Sequence, residues 1–264
     1  MGILNVTPDS FYAGSRFMST SDALKRVETL LAEGADILDI GAYSSRPGAA
    51  ALTASEESDR LIPIVRAITQ RFPDAIVSVD TFRAEVAREA VNAGAHIVND
   101  ISGGTLDPLM FDTIAELQVP YILMHMRGTP ATMQQLTDYD DVVQDVSLYF
   151  GKQIARLRHL GVKDIILDPG FGFAKTLDQN YELLARISEL AHFGLPILGA
   201  ISRKSMIYRP LNITPDDALN GTTVLNTILL MNGVSILRVH DVAAAREAVN
   251  LAKLTFSAVG RVNG

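Results

Sequence analysis

Polar side chains recur at one kind of place in this sequence, directly after short apolar runs. The runs are rich in Ile, Leu and Val, and we expect them to be buried parallel β-strands, which are nearly continuously apolar. Any one of the polar residues could cap the following helix, but together they predict a functional surface. These run-end residues are Asn5, Asp39, Asp80, Asn99, Asp100, His125, Asp168, Ser202, Arg203, Lys204, Arg238 and His240.

Three of these residues, Asp80, Asn99 and Asp168, could recognise a flat heterocycle. A carboxylate can accept two parallel N–H bonds in the plane of a ring that has an amidine-like edge. The same oxygens could instead form a cage for Mg²⁺ or Ca²⁺. Sequence spacing does not separate these two alternatives.

A second group of residues predicts an anion site. Arg238 and His240 alternate on the last predicted strand, so both side chains point to the same side. Lys204 follows the seventh strand, and barrels often bind phosphate after strands seven and eight. Arg46 adds a cation on a loop of turn-forming residues. Such cations suit a diphosphate with Mg²⁺ sharing its charge; the alternative is that Arg46 and Arg238 pair with surface acids.

The apolar runs alternate with amphipathic helical patterns along the whole chain. Eight strands and eight helices in strict alternation predict a (β/α)8 TIM barrel, formed as one domain over residues 1–264. A doubly wound open sheet is the alternative. In a barrel, active-site groups lie at the carboxyl ends of the strands. Predicted helices include 54–71, 82–93, 108–117, 177–191 and 216–231.

The composition excludes several classes of function. The chain has 264 residues, a net charge of −7 and no cysteine, which excludes disulfides, thiol nucleophiles and Cys-type zinc sites. It also fits a reducing compartment, and we expect the cytoplasm. The acidic balance argues against a nucleic-acid partner. No apolar run reaches the ~18 residues of a membrane span, and the first residues do not resemble a signal peptide.

Two loops and one histidine complete the candidates. Residues 5–19 and 41–53 are long and rich in Ser, Gly, Pro and Ala, which is typical of lids or binding loops. The segment 168–175 resembles a glycine-rich phosphate loop only loosely, because Gly-Lys-Ser/Thr is missing. We expect its phenylalanines to wall a pocket. His125 is either a catalytic base or a hydrogen-bonded structural histidine.

Eight motifs, in order along nearly the whole chain, resemble those of the dihydropteroate synthase family. Any one alone would be weak evidence, but eight in this order are not expected by chance. The motifs are GILNVTPDSF (2–11), ADILDIG (35–41) with SRPG (45–48), SVDT (78–81), IVNDI (97–101), MHMRGTP (124–130), LDPGFGF (167–173), ISRKS (201–205) and LRVHD (237–241).

The resemblance implies a fold, a reaction and an assembly. Family members are (β/α)8 barrels, usually homodimers. They join 6-hydroxymethyl-7,8-dihydropterin diphosphate to 4-aminobenzoate, forming 7,8-dihydropteroate and diphosphate in folate synthesis, and sulfonamides compete with aminobenzoate. We expect an SN1-like loss of diphosphate with no covalent enzyme intermediate, because positive charge growing on the CH₂ group spreads into the electron-rich pterin.

The resemblance also implies roles for individual residues, with Lys204, Arg238 and Asp168 as the catalytic set. The pterin would lie against Asp80, Asn99, Asp168 and Lys204. The diphosphate would lie against Asn5, Ser45, Arg46, Arg238 and His240, and Asn5 would also bind Mg²⁺. The aminobenzoate would lie among Phe11, Pro47, Phe173 and Ser205.

The chain departs from the family pattern at a few positions. Residues 12–15 read Tyr-Ala-Gly-Ser where the family often has Ser-Asp-Gly-Gly, and Tyr43 replaces a common Glu. Ser45 replaces a Thr, and Ala174 replaces a Gly. None removes a pterin or diphosphate contact, so we expect activity.

Three alternatives remain at this point. One is a methyltetrahydrofolate methyltransferase, which would not need the diphosphate motifs. Another is a catalytically silent pterin-binding paralogue, which loss of Lys204, Arg238 or Asn5 would indicate. The third is an aldolase-like barrel, which would need a Schiff-base lysine within a strand, whereas Lys204 lies just past one.

Overall fold

The computed structural model describes residues 1–6, 19–43 and 52–262, with side chains as far as residue 258. Most of the two predicted binding loops lies outside these ranges. So do four residues with assigned roles, Phe11, Ser45, Arg46 and Pro47.

Eight short parallel strands form the centre of the molecule. Each corresponds to one of the apolar runs, and each has a polar residue from the sequence analysis within three residues of its carboxyl end. The strands are β1 (Gly2–Asn5), β2 (Ile37–Gly41), β3 (Ile76–Asp80), β4 (Ile97–Asp100), β5 (Tyr121–Met124), β6 (Ile165–Asp168), β7 (Leu198–Gly199) and β8 (Ile236–Leu237).

The strands close into a ring. β1 to β6 form one sheet in chain order, and β7 pairs with β8. Single parallel bridges join the two parts, Leu167 to Ile197 beside β7 and Gly2 to Val239 beside β8. At the second junction the Ile3 N–H donates to the Val239 carbonyl at 3.0 Å. This closed ring confirms the TIM barrel and excludes the open sheet.

The described residues form nine α-helices, one more than predicted. The additional helix, Ser205–Leu211, lies between β7 and the helix predicted at 216–231. The helix predicted at 177–191 ends at residue 185 and continues as a 3-10 helix, Ile187–Phe193, because the Arg186 backbone (φ −110°, ψ 12°) leaves α-helical geometry. The α-helices are α1 (Thr20–Ala32), α2 (Ala54–Arg71), α3 (Ala84–Asn92), α4 (Met110–Leu117), α5 (Val142–His159), α6 (Leu177–Ala185), α7 (Ser205–Leu211), α8 (Leu219–Met231) and α9 (Val242–Val262).

Helix α7 forms although it contains a proline. Pro210 has no N–H to donate to the Met206 carbonyl one turn earlier. The Tyr181 hydroxyl of α6 donates to that carbonyl instead, at 2.8 Å. Asn212 then ends the helix in the left-handed conformation, at φ +53°. A long-range partner therefore compensates for a residue that argues locally against a helix.

The barrel interior changes from apolar to polar along the strands. Alternate residues of a strand face the same side, so Ile97 and Asn99 both point inward from β4. Ile97 belongs to a buried apolar cluster with Ile122 and Leu198. Asn99 instead contacts Asp39 of β2, nearer the carboxyl ends of the strands. The apolar layer thus forms the base on which the polar residues are fixed.

Candidate active site

A buried carboxylate, Asp39, lies at the centre of the polar layer. It has no exposed surface and accepts three hydrogen bonds from three other strands or strand ends. The Ser78 hydroxyl donates at 2.6 Å, the Asn99 amide at 3.1 Å and the Arg238 Nε at 2.6 Å. The strand register explains this convergence, because Asp39 lies beside Ser78 and Asp80 lies beside Asn99.

Arg238 links this carboxylate to a second one. Its Nη2 donates to Asp80 at 2.7 Å while its Nε bonds to Asp39. Arg238 therefore pairs with acids of the barrel interior and not with surface acids, which corrects the alternative raised from the sequence. Burial raises the pKa of Asp80 to about 7, against the opposing effect of the Arg238 guanidinium. Two carboxylates share one guanidinium here, and the site can therefore accept a further N–H-rich or cationic group.

Asp168 lies at the end of β6 and begins the glycine-rich segment. Its carboxylate accepts the Gly170 N–H at 2.8 Å, and burial raises its pKa. Gly170 has φ +70°, and a Cβ there would lie 2.1 Å from the His125 carbonyl oxygen, so the turn requires glycine. Ala174 also adopts a left-handed conformation, at φ +48°. That conformation strains an alanine, and it suits the glycine that the family resemblance leads us to expect at this position.

Lys204 reaches back to this segment from the end of β7. Its Nζ donates to the Phe171 carbonyl at 2.6 Å and lies 4.8 Å from the centre of the Phe173 ring. Burial lowers the pKa of Lys204 to about 8. Lys204, Phe173 and Ser205 line one cavity of about 720 Å³. The structure therefore brings Lys204, assigned to the pterin, together with two of the four residues assigned to the aminobenzoate.

His240 follows Arg238 by two residues, as predicted, and Ser202 orients it. The Ser202 hydroxyl bonds to His240 Nδ1 at 3.0 Å and accepts the His240 backbone N–H at 3.2 Å. Burial lowers the pKa of His240 to about 4. A neutral imidazole whose Nδ1 accepts from Ser202 carries its proton on Nε2, where it can donate to an anion.

Asn5 ends β1 beside Gly41, at the same rim of the barrel.

Tyr43, which replaces a Glu expected from the family resemblance, packs edge-on against Phe82, with 5.1 Å between the ring centres. The Arg83 guanidinium lies over the Tyr43 ring and pairs with the buried Glu57.

Sequence reasoning gave no role to two of the residues that organise this site. Asp39 was noted as a strand-end residue and nothing more. Lys175 was missed: it is buried and donates to the Gly170 and Phe173 carbonyls at 3.0 and 3.1 Å, which folds the glycine-rich segment back on itself. Its Nζ also lies 3.1 Å from His125 Nδ1. Burial lowers the pKa of His125 well below its usual range, which favours the structural interpretation of this histidine.

A comparison with protein families identifies the family to which this site belongs. The model of the pterin binding enzyme family matches residues 1–240. The chain belongs to the pterin binding enzyme family. The family's name agrees with a site in which carboxylates and an amide converge at the carboxyl ends of the strands.

Relatives within the family make the resemblance more specific. The chain is 48% identical over 260 residues to the dihydropteroate synthase of Escherichia coli K12, covering 98% of this chain and 92% of the relative. It is 44% identical to the Yersinia pestis dihydropteroate synthase solved with a sulfonamide drug complex, with a TM-score of 0.92 and coverage of 97% and 93%. It is 35% identical to the Xanthomonas albilineans dihydropteroate synthase solved with 7,8-dihydropteroate, with a TM-score of 0.86 and coverage of 96% and 92%.

No helix among the described residues has the length and apolar character needed to cross a membrane.

Proposed function

We infer that this chain is a dihydropteroate synthase, a transferase of folate synthesis. It condenses 6-hydroxymethyl-7,8-dihydropterin diphosphate with 4-aminobenzoate and releases diphosphate. The observation that carries this inference is the network at the rim of the barrel in which Arg238 joins Asp80 to the buried Asp39, which also holds Asn99. That arrangement occurs in a chain that is 48% identical to a dihydropteroate synthase over nearly its whole length.

The ring of the pterin fits the acidic side of the site. We assign its N–H edge to Asp80, Asn99 and Asp168, because carboxylates and an amide accept in-plane N–H bonds. Lys204 is the cation assigned to the ring's oxygen, since its charge interacts with those of Asp168 and Asp80. A ring N–H edge would also replace the Arg238 contact of Asp80 and leave the guanidinium available for the leaving group.

The leaving group fits the basic side. Arg238 and His240 supply N–H donors where diphosphate charge would develop, and such preorganised donors stabilise a departing anion. The buried carboxylates stabilise positive charge on the pterin at the same moment. The neutral aniline nitrogen of aminobenzoate then attacks, so no strong general base is required. Phe173 and Ser205 would flank it, with Phe11 and Pro47 assigned from the family pattern alone.

Mg²⁺ is the proposed cofactor. Asn5 supplies a hard oxygen of the kind that Mg²⁺ accepts, at the rim where the diphosphate would lie. Within the described ranges, no three His, Asp or Glu side chains are grouped as metal ligands. This donor set fits an ion bound by one protein residue together with substrate phosphate and water, a common mode for Mg²⁺. When bound, the ion would neutralise part of the leaving group's charge.

The proposed assembly is a homodimer formed through the outer face of α8 and α9. These packed helices expose large apolar side chains to solvent: Leu219, Val224, Ile228, Met231, Leu251, Leu254 and Phe256. Grouped exposed apolar side chains of this kind mark interaction surfaces, and a second copy is the occupant that the family resemblance implies. We also propose one domain over residues 1–264 and a cytoplasmic location.

Diphosphate release tests the proposed function. Purified protein is supplied with dihydropterin diphosphate and Mg²⁺, with and without 4-aminobenzoate. We expect release that depends on aminobenzoate, with dihydropteroate as the product. Tight pterin binding without release would identify a catalytically silent paralogue and overturn the proposal.

A further inference from the structure

Asp39 contacts residues from two different parts of the proposed site. Its Oδ2 accepts from Asn99, assigned to the pterin ring, and from Arg238, assigned to the diphosphate. Its Oδ1 accepts from Ser78. Because Asp39 has no exposed surface, it acts on a ligand only through these neighbours.

The contact with Asn99 decides which atom of the amide faces the ligand. A carboxylate oxygen has no proton to donate, so the Asn99 NH₂ group must face Asp39. The amide oxygen then lies at the opposite side, and it makes no hydrogen bond to any other described residue. Asn99 therefore presents an acceptor, which matches the N–H edge of a pterin.

The contact with Arg238 fixes the plane of the guanidinium. Two separate nitrogens are held, Nε by Asp39 and Nη2 by Asp80. When a ring N–H edge takes over Asp80, the Asp39 contact remains. A guanidinium held at Nε keeps its outer nitrogens directed at the leaving group, and only Arg carries the separate N–H donors that this arrangement needs.

We propose that Asp39 is a positioning residue that sets the amide orientation of Asn99 and the guanidinium orientation of Arg238. The inference rests on the proposed function. It makes ring recognition and leaving-group stabilisation depend on the same buried carboxylate. A purely structural Asp39 would instead support barrel closure, without any selective effect on ligand binding.

A cycle of isosteric variants tests the amide orientation: Asp39→Asn, Asn99→Asp and the double exchange. The probe is the Kd of 6-hydroxymethyl-7,8-dihydropterin, which lacks the diphosphate. Asn99→Asp alone places two carboxylates in contact, and we expect it to weaken binding about tenfold or more. In the double exchange, the amide introduced at position 39 donates to the carboxylate introduced at position 99, which still presents an acceptor to the ring. The same exchange gives up the acceptor for Arg238 Nε, which is why the probe lacks the diphosphate assigned to Arg238. We expect this variant to recover most of the lost affinity, a coupling that the cycle measures directly.

One result of this cycle would contradict the proposal. If Asn99→Asp weakens binding by the same factor in the native background and in the Asp39→Asn background, the amide orientation does not depend on Asp39, and the proposal is wrong. All four proteins have side chains of the same size at both positions, and a thermal melt of each variant shows whether it is folded before the affinities are compared.

A second comparison tests the effect on Arg238. The measured quantity is the ratio of the affinities for the dihydropterin with and without its diphosphate. Asp39→Ala should reduce this ratio about tenfold, because the guanidinium loses its fixed contact. Ser78→Ala is the matched control: it removes a donor to the same carboxylate but keeps the Asn99 and Arg238 contacts. It should lower the melting temperature and leave the ratio unchanged.

The outcomes separate this proposal from the proposed function. If the unaltered protein does not bind the dihydropterin, the function itself is wrong. If it binds normally but Asp39→Ala and Ser78→Ala shift the ratio equally, Asp39 has only a structural role.

Discussion

At the scale of single residues, two carboxylates of the site share one guanidinium. Asp39 and Asp80 both pair with Arg238, and both lie inside the barrel. Removing one partner of a buried ion pair leaves an uncompensated charge, which costs far more than an exposed pair contributes. Arg238 therefore supports the fold as well as the proposed chemistry.

Replacing Arg238 with Met should destabilise the fold. The variant keeps an aliphatic side chain but leaves two carboxylates without a cation, and we expect a loss of about 3–5 kcal/mol in the free energy of unfolding near pH 8. The pKa of Asp80 is already raised to about 7 with Arg238 present, and it should rise further without it. A raised carboxyl pKa destabilises the fold above that pKa, and the penalty disappears as pH falls towards the unfolded value of 3.8.

The deficit relative to the native protein should therefore shrink as pH falls from about 8 to about 5. Urea unfolding of both proteins at several pH values measures it. A deficit that stays constant across this range would show that Asp80 is not the group responsible. The exposed pair Arg88–Glu116 offers a control: Arg88→Met should cost less than about 1 kcal/mol.

The strand-end residues could be predicted individually, but their hydrogen bonds could not. Alternation along a strand predicts Arg238 and His240 on one side, but it does not predict their partners, which are Asp39 and Asp80 for Arg238 and Ser202 for His240. Nothing in the sequence shows that Asp39 contacts Asn99, because that contact depends on strand register. The role of Lys175 could not be predicted for a related reason. It is buried because Gly170, Gly172 and Ala174, all with positive φ, turn its segment inward. The roles given to individual residues remain predictions, and Phe11, Ser45, Arg46 and Pro47 also lie outside the described residues.

At the scale of elements, α7 shows how a tertiary contact overrides a local signal. Pro210 and the nearby Thr-Pro sequence favour a loop, and no helix was predicted between residues 205 and 211. The Tyr181 hydroxyl supplies the hydrogen bond that proline cannot make. The helix matters for the site because Ser205 is its first residue and Lys204 immediately precedes it.

Tyr181→Phe should weaken α7 without removing its packing. The change deletes one hydroxyl and leaves the Met206 carbonyl without a donor, so we expect a loss of about 1 kcal/mol in the free energy of unfolding. Amide exchange should rise selectively in residues 205–212. Tyr208→Phe is the control, because the Tyr208 hydroxyl makes no hydrogen bond to the described residues. An equal effect from both substitutions would mean that the hydroxyl does not support the helix.

At the scale of the whole molecule, barrel closure creates the site. Asp39 and Arg238 lie 199 residues apart in the sequence and meet only when β8 returns to β1. The eightfold alternation was sufficient to predict this closure. The surface that faces a partner chain could not be predicted, because sequence patterns do not separate an exposed apolar helix face from a buried one.

The apolar face of α8 and α9 should hold two copies together. Leu254 on α9 is 65% exposed, and Leu148 on α5 is 68% exposed. Because both are already in contact with water, replacing either with Glu should leave the folded chain nearly as stable as before. Leu254→Glu places a charge, and by symmetry its copy, in the proposed interface. We expect it to convert the protein from the mass of two chains to that of one in sedimentation equilibrium, while Leu148→Glu remains a dimer. A native protein with the mass of one chain, or equal dissociation by both variants, would rule out this interface.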